Sequence, residues 1–391
     1  MATWPRIRCM THTRRTLWLC LLLLLPAVLH AQAPPTRTAL PVPDLPGFVT
    51  LKGDFHLHTV FSDGAVWPTV HVNEAWRDGL DVIALTEHAE YHPHKDDVKV
   101  DAGRSYLVAK PLADQLGVIL VPGIEITKPD PYTAPRVLPE GSAHFNALFV
   151  TDANALNVPD LYEALRRARA QNAFVFWDHP RFRVPRALWF PQIAKAFDEG
   201  LFAGMELVNG SFVYDEAFPW VAERRLTILA NSDAHVPTPP REAGHRRPIT
   251  LLFAKTRDEA GVRDALEQRR TAAWLGDDVW GEEPYLKGLW DGAIRLQAPG
   301  GPLHPGAVPI LRFTNSSAIA MTLRVRETPP WMVPPESIEL AAQTETLVSV
   351  PLERSAPVGR HEVALVVDVT NLHPAPGRPL TVRVPISLEI R

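Results

Sequence analysis

Gly53-Asp54-Phe55-His56-Leu57-His58-Thr59-Val60-Phe61-Ser62-Asp63-Gly64 reads as a short strand running into a turn. Side chains alternate faces along a strand, so Asp54, His56 and His58 are expected on one face, with Phe55 and Leu57 on the other. Two imidazoles side by side make a chelating pair. Ser62-Asp63-Gly64 is turn chemistry, which lets Asp63 fold back and offer a carboxylate to the same pocket. An isolated H-x-H also fits a plain polar strand face, so the partners have to come from elsewhere in the chain.

From residue 53 to about residue 255, short apolar runs alternate with amphipathic segments, the pattern of repeated strand-helix units in an α/β domain. Further strands are expected at 81–86, 118–126, 144–150, 174–178, 204–209 and 227–231, which makes about seven parallel strands. A helix opened by Asp160 as N-cap and an amphipathic helix over 261–270 fall between or after them, and 271–276 reads as a further short strand. In barrels of this kind the active site is assembled at the C-terminal strand ends. Those ends read Thr86-Glu87-His88, Gly123-Ile124-Glu125, a strand containing His144, Asp178-His179-Pro180 and Ser232-Asp233-Ala234-His235. One shared site explains them better than five separate coincidences.

The assembled set is His56, His58, Asp63, His88, Glu125, His144, His179, Asp233 and His235, and it uses six of the 15 histidines. Nitrogen and oxygen donors of this kind suit zinc, manganese or iron. Nine donors exceed what one ion uses, so two or three divalent ions sharing a bridging carboxylate are expected.

The 391 residues, 46% of them apolar, are enough for a large core and a smaller one, hence two domains. Arg6, Arg8, Arg14 and Arg15, the apolar run Leu17 to Val28, and the small residues up to Ala33 read as a secretory leader over 1–33. The apolar run is short for a membrane span, so no stable anchor is expected after cleavage. Cys9 and Cys20 both lie in the leader, so the mature chain has no thiol for a disulfide or for metal ligation. Residues 34–49 are proline-rich and read as an extended linker. The net charge of −4 becomes about −8 without the four leader arginines, so general attraction to nucleic acid or an anionic membrane is not indicated. Beyond about residue 293 the pattern is β-only, with clean alternation in Met321-Thr322-Leu323-Arg324-Val325-Arg326, which suggests a small antiparallel sandwich over 293–391. It is read as packing on the barrel or mediating a homodimer.

The order H-x-H-T-x-x-S-D-G, T-E-H, G-I-E, a strand with His, H-P and S-D-A-H resembles the PHP family, called after polymerases and histidinol phosphatases, over residues 50 to 275. The phrases Thr86 to Lys95 and His144 to Phe149 are similar to a secreted bacterial branch that carries a C-terminal β domain. The resemblance implies a distorted (β/α)7 barrel over 50–292 with a trinuclear site. It further implies that His56, His58, Glu125 and Asp233 hold one ion and that Glu125, His144 and His179 hold a second, with Glu125 bridging. Asp63, His88 and His235 would hold the third. Glu87 departs from the family's usual Asp at a position outside the ligand set, and the proline-rich insert 128–141 has no counterpart.

Such ions acidify bound water, and a hydroxide bridging two of them is expected to attack phosphorus while the metals neutralise phosphoryl charge. The expected function is therefore a metal-dependent phosphoesterase acting on a small secreted or periplasmic bacterial substrate. Arg181, next to His179-Pro180, is the expected phosphate contact ahead of Lys95, Arg104 and Arg183, because a guanidinium holds two phosphate oxygens. His92 and His94 either extend the site or sit on an exposed loop, and Trp177 and Trp189 are read as packing. Hydrolysis of a carboxylic or carbamate ester on the same centre is the alternative, and a non-catalytic secreted binding protein is a third reading.

Overall fold

Val82-Ile83-Ala84-Leu85 and Phe174-Val175-Phe176-Trp177 are buried along their whole lengths, the condition under which a strand reads as an unbroken apolar run. The computed structural model describes residues 36–128, 143–182, 184–241 and 244–391. Its first region contains β1 (Val49–Asp54), β2 (Val82–Leu85), β3 (Ile119–Lys128), β4 (Ala143–Leu148), β5 (Phe174–Trp177) and β6 (Gly204–Asn209). It continues with β7 (Phe212–Val213), β8 (Thr227–Asn231), β9 (Ile249–Ala254), β10 (Thr271–Leu275) and β11 (Asp278–Gly281). The helices are α1 (Pro68–Arg77), α2 (Arg104–Leu116), α3 (Leu161–Ala170), α4 (Pro191–Asp198), α5 (Phe218–Arg224), α6 (Glu259–Glu267) and α7 (Glu283–Ala293). Asp160 caps α3 as expected, accepting the Glu163 N–H at 2.8 Å.

The sheet is mixed, which corrects the expectation of about seven parallel strands. β1, β2 and β3 are parallel, as are β5, β6 and β8. β4 runs antiparallel to both β3 and β5, and β9 runs antiparallel to β1. Direction is not written in a strand buried on both faces, since its apolar run looks the same either way. The reversal matters because His144 stands at the start of β4, and only a strand running backwards brings that end to the rim beside Glu125 and Thr127. β9 lies outside the expected strands altogether. The sheet curls until β8 meets β9 and β10 through side chains: Thr250 Oγ1 accepts the Ala230 N–H at 2.8 Å, and the Thr271 hydroxyl donates to Ile228 O at 2.8 Å. Leu51, Val121, Leu148, Phe174, Phe176 and Leu229 share an apolar core with Val262 and Leu266 of α6.

After α7 come β12 (Ile294–Gln297), β13 (Ile310–Asn315), β14 (Met321–Glu327), β15 (Ser337–Leu340), β16 (Thr344–Ser349), β17 (Gly359–Val369), β18 (Leu372–His373) and β19 (Leu380–Ile390). They form antiparallel sheets in the orders β12-β13-β16 and β15-β14-β17-β19, and β19 alternates buried and exposed residues along its whole length. The α/β barrel followed by an all-β region thus has the expected architecture. β18 leaves its own region and adds to the barrel's sheet in parallel with β11. The core is accordingly continuous, with Ile83 and Leu251 in one cluster with Leu311 and Val384.

Residues 36–48 are more than a spacer. Prolines keep the segment extended, yet Leu40 and Leu45 are buried, Pro41 O accepts the Ala318 N–H at 2.7 Å and Pro43 O accepts the Thr50 hydroxyl at 2.7 Å. Gly288 and Gly292, one turn apart on α7, make room for it: a Cβ would meet Leu45 Cγ at 2.7 Å or Pro43 Cβ at 2.6 Å.

A buried ion network ties the barrel strands to the rim. Arg247, with no solvent exposure of its side chain, donates through Nε and Nη2 to Asp54 Oδ2 at 3.0 and 2.8 Å, and through Nη1 to Asp78 at 3.3 Å. Asp54 also accepts the N–H and hydroxyl of Ser232, at 3.0 and 2.6 Å. The carboxylate expected to share a face with His56 therefore fixes the Ser232-Asp233 loop instead. Removing one partner of such a network leaves an uncompensated buried charge, so Arg247→Ala should cost about 3–5 kcal/mol of stability, measured by denaturant unfolding; a loss below about 1 kcal/mol would contradict the network's role.

Candidate metal centre

β1 ends at Asp54, four residues earlier than the alternating-strand reading through His58 requires, and the chain continues along the rim. Leu57 makes a single parallel bridge with Ala234, and His88 makes another with Glu125. Backbone bonds stitch these turns together: His58 N–H donates to Ala234 O at 3.0 Å, Thr86 N–H to Leu57 O at 2.8 Å and Glu125 N–H to Glu87 O at 2.9 Å. Donor groups from three loops and β3 are thereby held at fixed spacing. The backbone is strained where two of them sit, with φ of +52° at Asp233 and +22° at His179, a cost of about 1–3 kcal/mol each.

All nine expected side chains converge. His56 Nε2 and His58 Nε2 are 3.1 Å apart. Glu125 Oε2 lies 3.2 and 3.1 Å from them, and Asp233 Oδ1 lies 3.3 Å from each. An ion about 2.0–2.1 Å from its donors spaces them about 2.9–3.4 Å apart, octahedral to tetrahedral. One proton bridges a single pair, whereas one cation satisfies all five of these contacts. Glu125 Oε1 turns to His144 Nδ1 at 2.6 Å, with His179 Nε2 3.8 Å away. Asp63 completes a third group: its carboxylate is 3.2 Å from His235 Nε2, 3.5 Å from His88 Nε2 and 3.7 Å from His58 Nδ1. His144 Nε2 and His179 Nδ1 are buried without a hydrogen-bond partner among the described residues. The donor types and spacing fit divalent cations.

Several supporting residues escape a reading of motifs. Glu206 on β6 accepts from His56 Nδ1 at 2.9 Å, the His179 N–H at 2.8 Å, Asn209 at 2.9 Å and Asn231 at 3.0 Å. It fixes the orientation and tautomer of His56, as carboxylates behind metal-bound histidines do. The signal was a lone acid in the buried strand Gly204–Asn209, where a bulge in the pairing with β8 follows it. Glu87 accepts the Thr59 hydroxyl and N–H and the Ser62 hydroxyl at 2.6, 3.1 and 2.6 Å, locking the turn that carries Asp63. Thr127 lies 3.1 Å from Glu125 Oε1 and 3.2 Å from His88 Nδ1. Behind the donors, both carboxylate oxygens of Asp178 are buried without a hydrogen-bond partner among the described residues, and so are both amide atoms of Asn146.

The remaining candidates are placed differently. His92 lies between the carbonyls of Phe61 and Ala89, at 2.9 and 3.2 Å, and His94 reaches Gly64 O at 3.2 Å; both fasten a loop instead of adding donors. Lys95 is exposed, and Arg104 opens α2. The Arg181 guanidinium sits over the rings of Phe212 and Tyr214 at 5.5 and 5.4 Å, with Glu216 at 3.9 Å. Trp177 and Trp189 pack against each other in the outer core. Arg183 and residues 129–141 of the insert lie outside the described residues.

Burial opposes charge on the cluster, and the neighbours outweigh it. Burial pushes His56 down, but Asp233, Glu206 and Asp178 bring it well above its ordinary value. His58, His88 and His235 are likewise raised against burial, by hydrogen bonds and charge from Asp63, Glu125 and Asp233. Burial also works to raise Glu125, Asp63 and Asp233, yet the surrounding imidazoles hold all three below the usual carboxylate range. His144 is pushed down to about 4, chiefly by burial, and stays neutral. Carboxylates facing protonated imidazoles are an arrangement in which a cation replaces protons.

No family model matches the chain. A two-domain protein from Bacteroides vulgatus containing a predicted PHP-like metal-dependent phosphoesterase is similar over 90% of this chain and 100% of its own, with 35% identity and a TM-score of 0.81. A structure from Bifidobacterium adolescentis aligns with 59% of this chain and 98% of its own at 15% identity and a TM-score of 0.41. An uncharacterised protein of Methanocaldococcus jannaschii is 31% identical over 87 residues, so the match spans 22% of this chain and 38% of that relative's length.

The raised histidines carry a signed prediction. Their stabilisation of the metal-free fold is complete below an unfolded value of about 6.5 and is lost as pH rises through the higher folded values. Metal affinity climbs over the same window, because donors must be deprotonated. As pH rises above about 6.5, the melting temperature of chelator-treated protein should fall relative to that of zinc- or manganese-supplemented protein; parallel curves would contradict the assignment.

Proposed function

The chain belongs to the PHP-like family of metal-dependent phosphoesterases, and from that premise we propose that its nine converging donors hold two or three divalent ions and hydrolyse a phosphate ester. The position of Glu125 carries this reading. Oε2 closes the group made with His56 and His58, and Oε1 closes the one made with His144, so one carboxylate spans two donor sets. His88 Nδ1, 3.4 Å from the same Oε2, links the third. When bound, ions in such a site acidify water and neutralise the phosphoryl oxygens.

The protein's own side chains supply the rest. Asp63, Glu125 and Asp233 bring three negative charges and Glu206 behind His56 a fourth, which balance two divalent ions and fall short of three, so a centre loaded with three ions is locally positive in a chain of net charge −4. An anionic phosphate is drawn by that local field. The hydroxyls beside the centre are engaged, Ser62 and Ser232 by Glu87 and Asp54 at 2.6 Å each and Thr127 by Glu125 at 3.1 Å, which favours water over a side-chain nucleophile. Arg181, held by two aromatic rings next to the His179 turn, is the proposed phosphate contact. Residues 1–33 make export part of the proposal, checked by a mature N-terminus after Ala33 in a periplasmic or culture fraction.

Glu125→Ala should lower kcat/KM for p-nitrophenyl phosphate by at least about a thousandfold, with loss of bound metal, because it removes charge stabilisation and bridging together. Arg181→Gln should raise KM about tenfold, with a smaller change in kcat. Unchanged turnover and metal content in Glu125→Ala, or faster cleavage of p-nitrophenyl acetate than of p-nitrophenyl phosphate by the wild type, would overturn the phosphoesterase reading.

A further inference from the structure

We infer that the C-terminal all-β region builds the far wall of the substrate groove, and that the ester's alcohol half is an extended, largely apolar group. This rests on the phosphoester reading above. A groove of about 1280 Å³ is lined both by the donors Asp233 and His235 and by the turn Ala375-Pro376-Gly377. Pockets for small organic ligands are usually about 300–1,000 Å³, so a short alcohol would leave most of this one filled with water. The lining also includes Val213, Phe218, Val236, Pro237, Leu275 and Trp280.

The wall is firmly attached. β18 pairs with β11 so that His373 stands beside Trp280. The two rings stack at 5.2 Å and 21°, and His373 Nε2 lies 2.8 Å from Asp278 Oδ1. Asn371 Nδ2 donates to Ala320 O at 2.8 Å and to Asp277 O at 2.5 Å, joining the β10-β11 hairpin to the β region. The 375–377 turn is thus fixed relative to the metal donors.

The charged lining argues against a second anionic group on the substrate. Among the described residues, beyond the donors it consists of Asp215, Arg246 and Asp278, net one negative, with Asp278 engaged by His373. His245 is lowered by burial and by the Arg247 charge, and so is neutral near pH 7. Most of the contact the groove offers is apolar, with Ser211, Thr238 and His245 among its neutral polar groups.

Full-length, metal-loaded protein titrated with n-alkylphosphonates from ethyl to octyl tests this by calorimetry, without turnover. Affinity should rise about two- to fourfold per added methylene, and kcat/KM for the matching alkyl phosphates should follow. Ala375 is half-buried at the far wall, so Ala375→Trp by bulk and Ala375→Asp by charge should each reduce the octyl-to-ethyl affinity ratio at least tenfold. Equal affinity for ethyl and octyl phosphonate in the wild type, or an unchanged ratio in both variants, overturns the groove assignment even if p-nitrophenyl phosphate is hydrolysed. Chain-length-dependent binding with no hydrolysis of any phosphate ester would instead support the groove and overturn the phosphoesterase reading.

Discussion

Glu125 is the interaction on which the rest of this structure depends. Its carboxylate is buried, lies within 3.4 Å of four imidazoles, and divides its two oxygens between separate donor groups. Such a concentration of buried polar groups is tolerable only if opposite charge is supplied, by protons or by metal ions. The surrounding scaffold can be understood as what keeps those donors from collapsing onto one another or relaxing toward water. Glu206, Glu87 and the Asp54–Arg247–Asp78 network each hold one rim segment from behind.

Two devices give the rim its rigidity. Backbone bonds between successive loops extend the ladder past the ends of the strands, and two donors occupy left-handed backbone conformations that the neighbouring loops must pay for. Reversal of β4 is a third contribution, since it brings the first residues of a strand to the place where neighbouring strands present their last. A uniformly parallel barrel would carry His144 to the opposite end.

The all-β region is integrated with the barrel at several levels. It shares a hydrophobic core, lends β18 to the sheet, and receives residues 36–48 into the seam beside α7. Position and chemistry are coupled here, because the same strand that anchors the region brings its turn to the edge of the groove leading from Asp233 and His235.

By itself the sequence determined the donor chemistry and the broad architecture. Histidines and acids at strand ends, apolar runs of strand length and the absence of cysteine beyond residue 20 are local properties, legible because periodicity and residue type need no partner to be recognised. Glu206 and the Asp54–Arg247 pair were not legible as parts of a site, because each takes its role from residues brought near by folding, 193 positions away in the case of Arg247. Only the tertiary structure decided strand direction, the turning of Asp54 away from the histidine face and the entry of β18 into the barrel's sheet. A chain buried on both faces carries no mark of its direction, and a hydrogen-bond partner far along the sequence becomes a neighbour only once the sheet has curled.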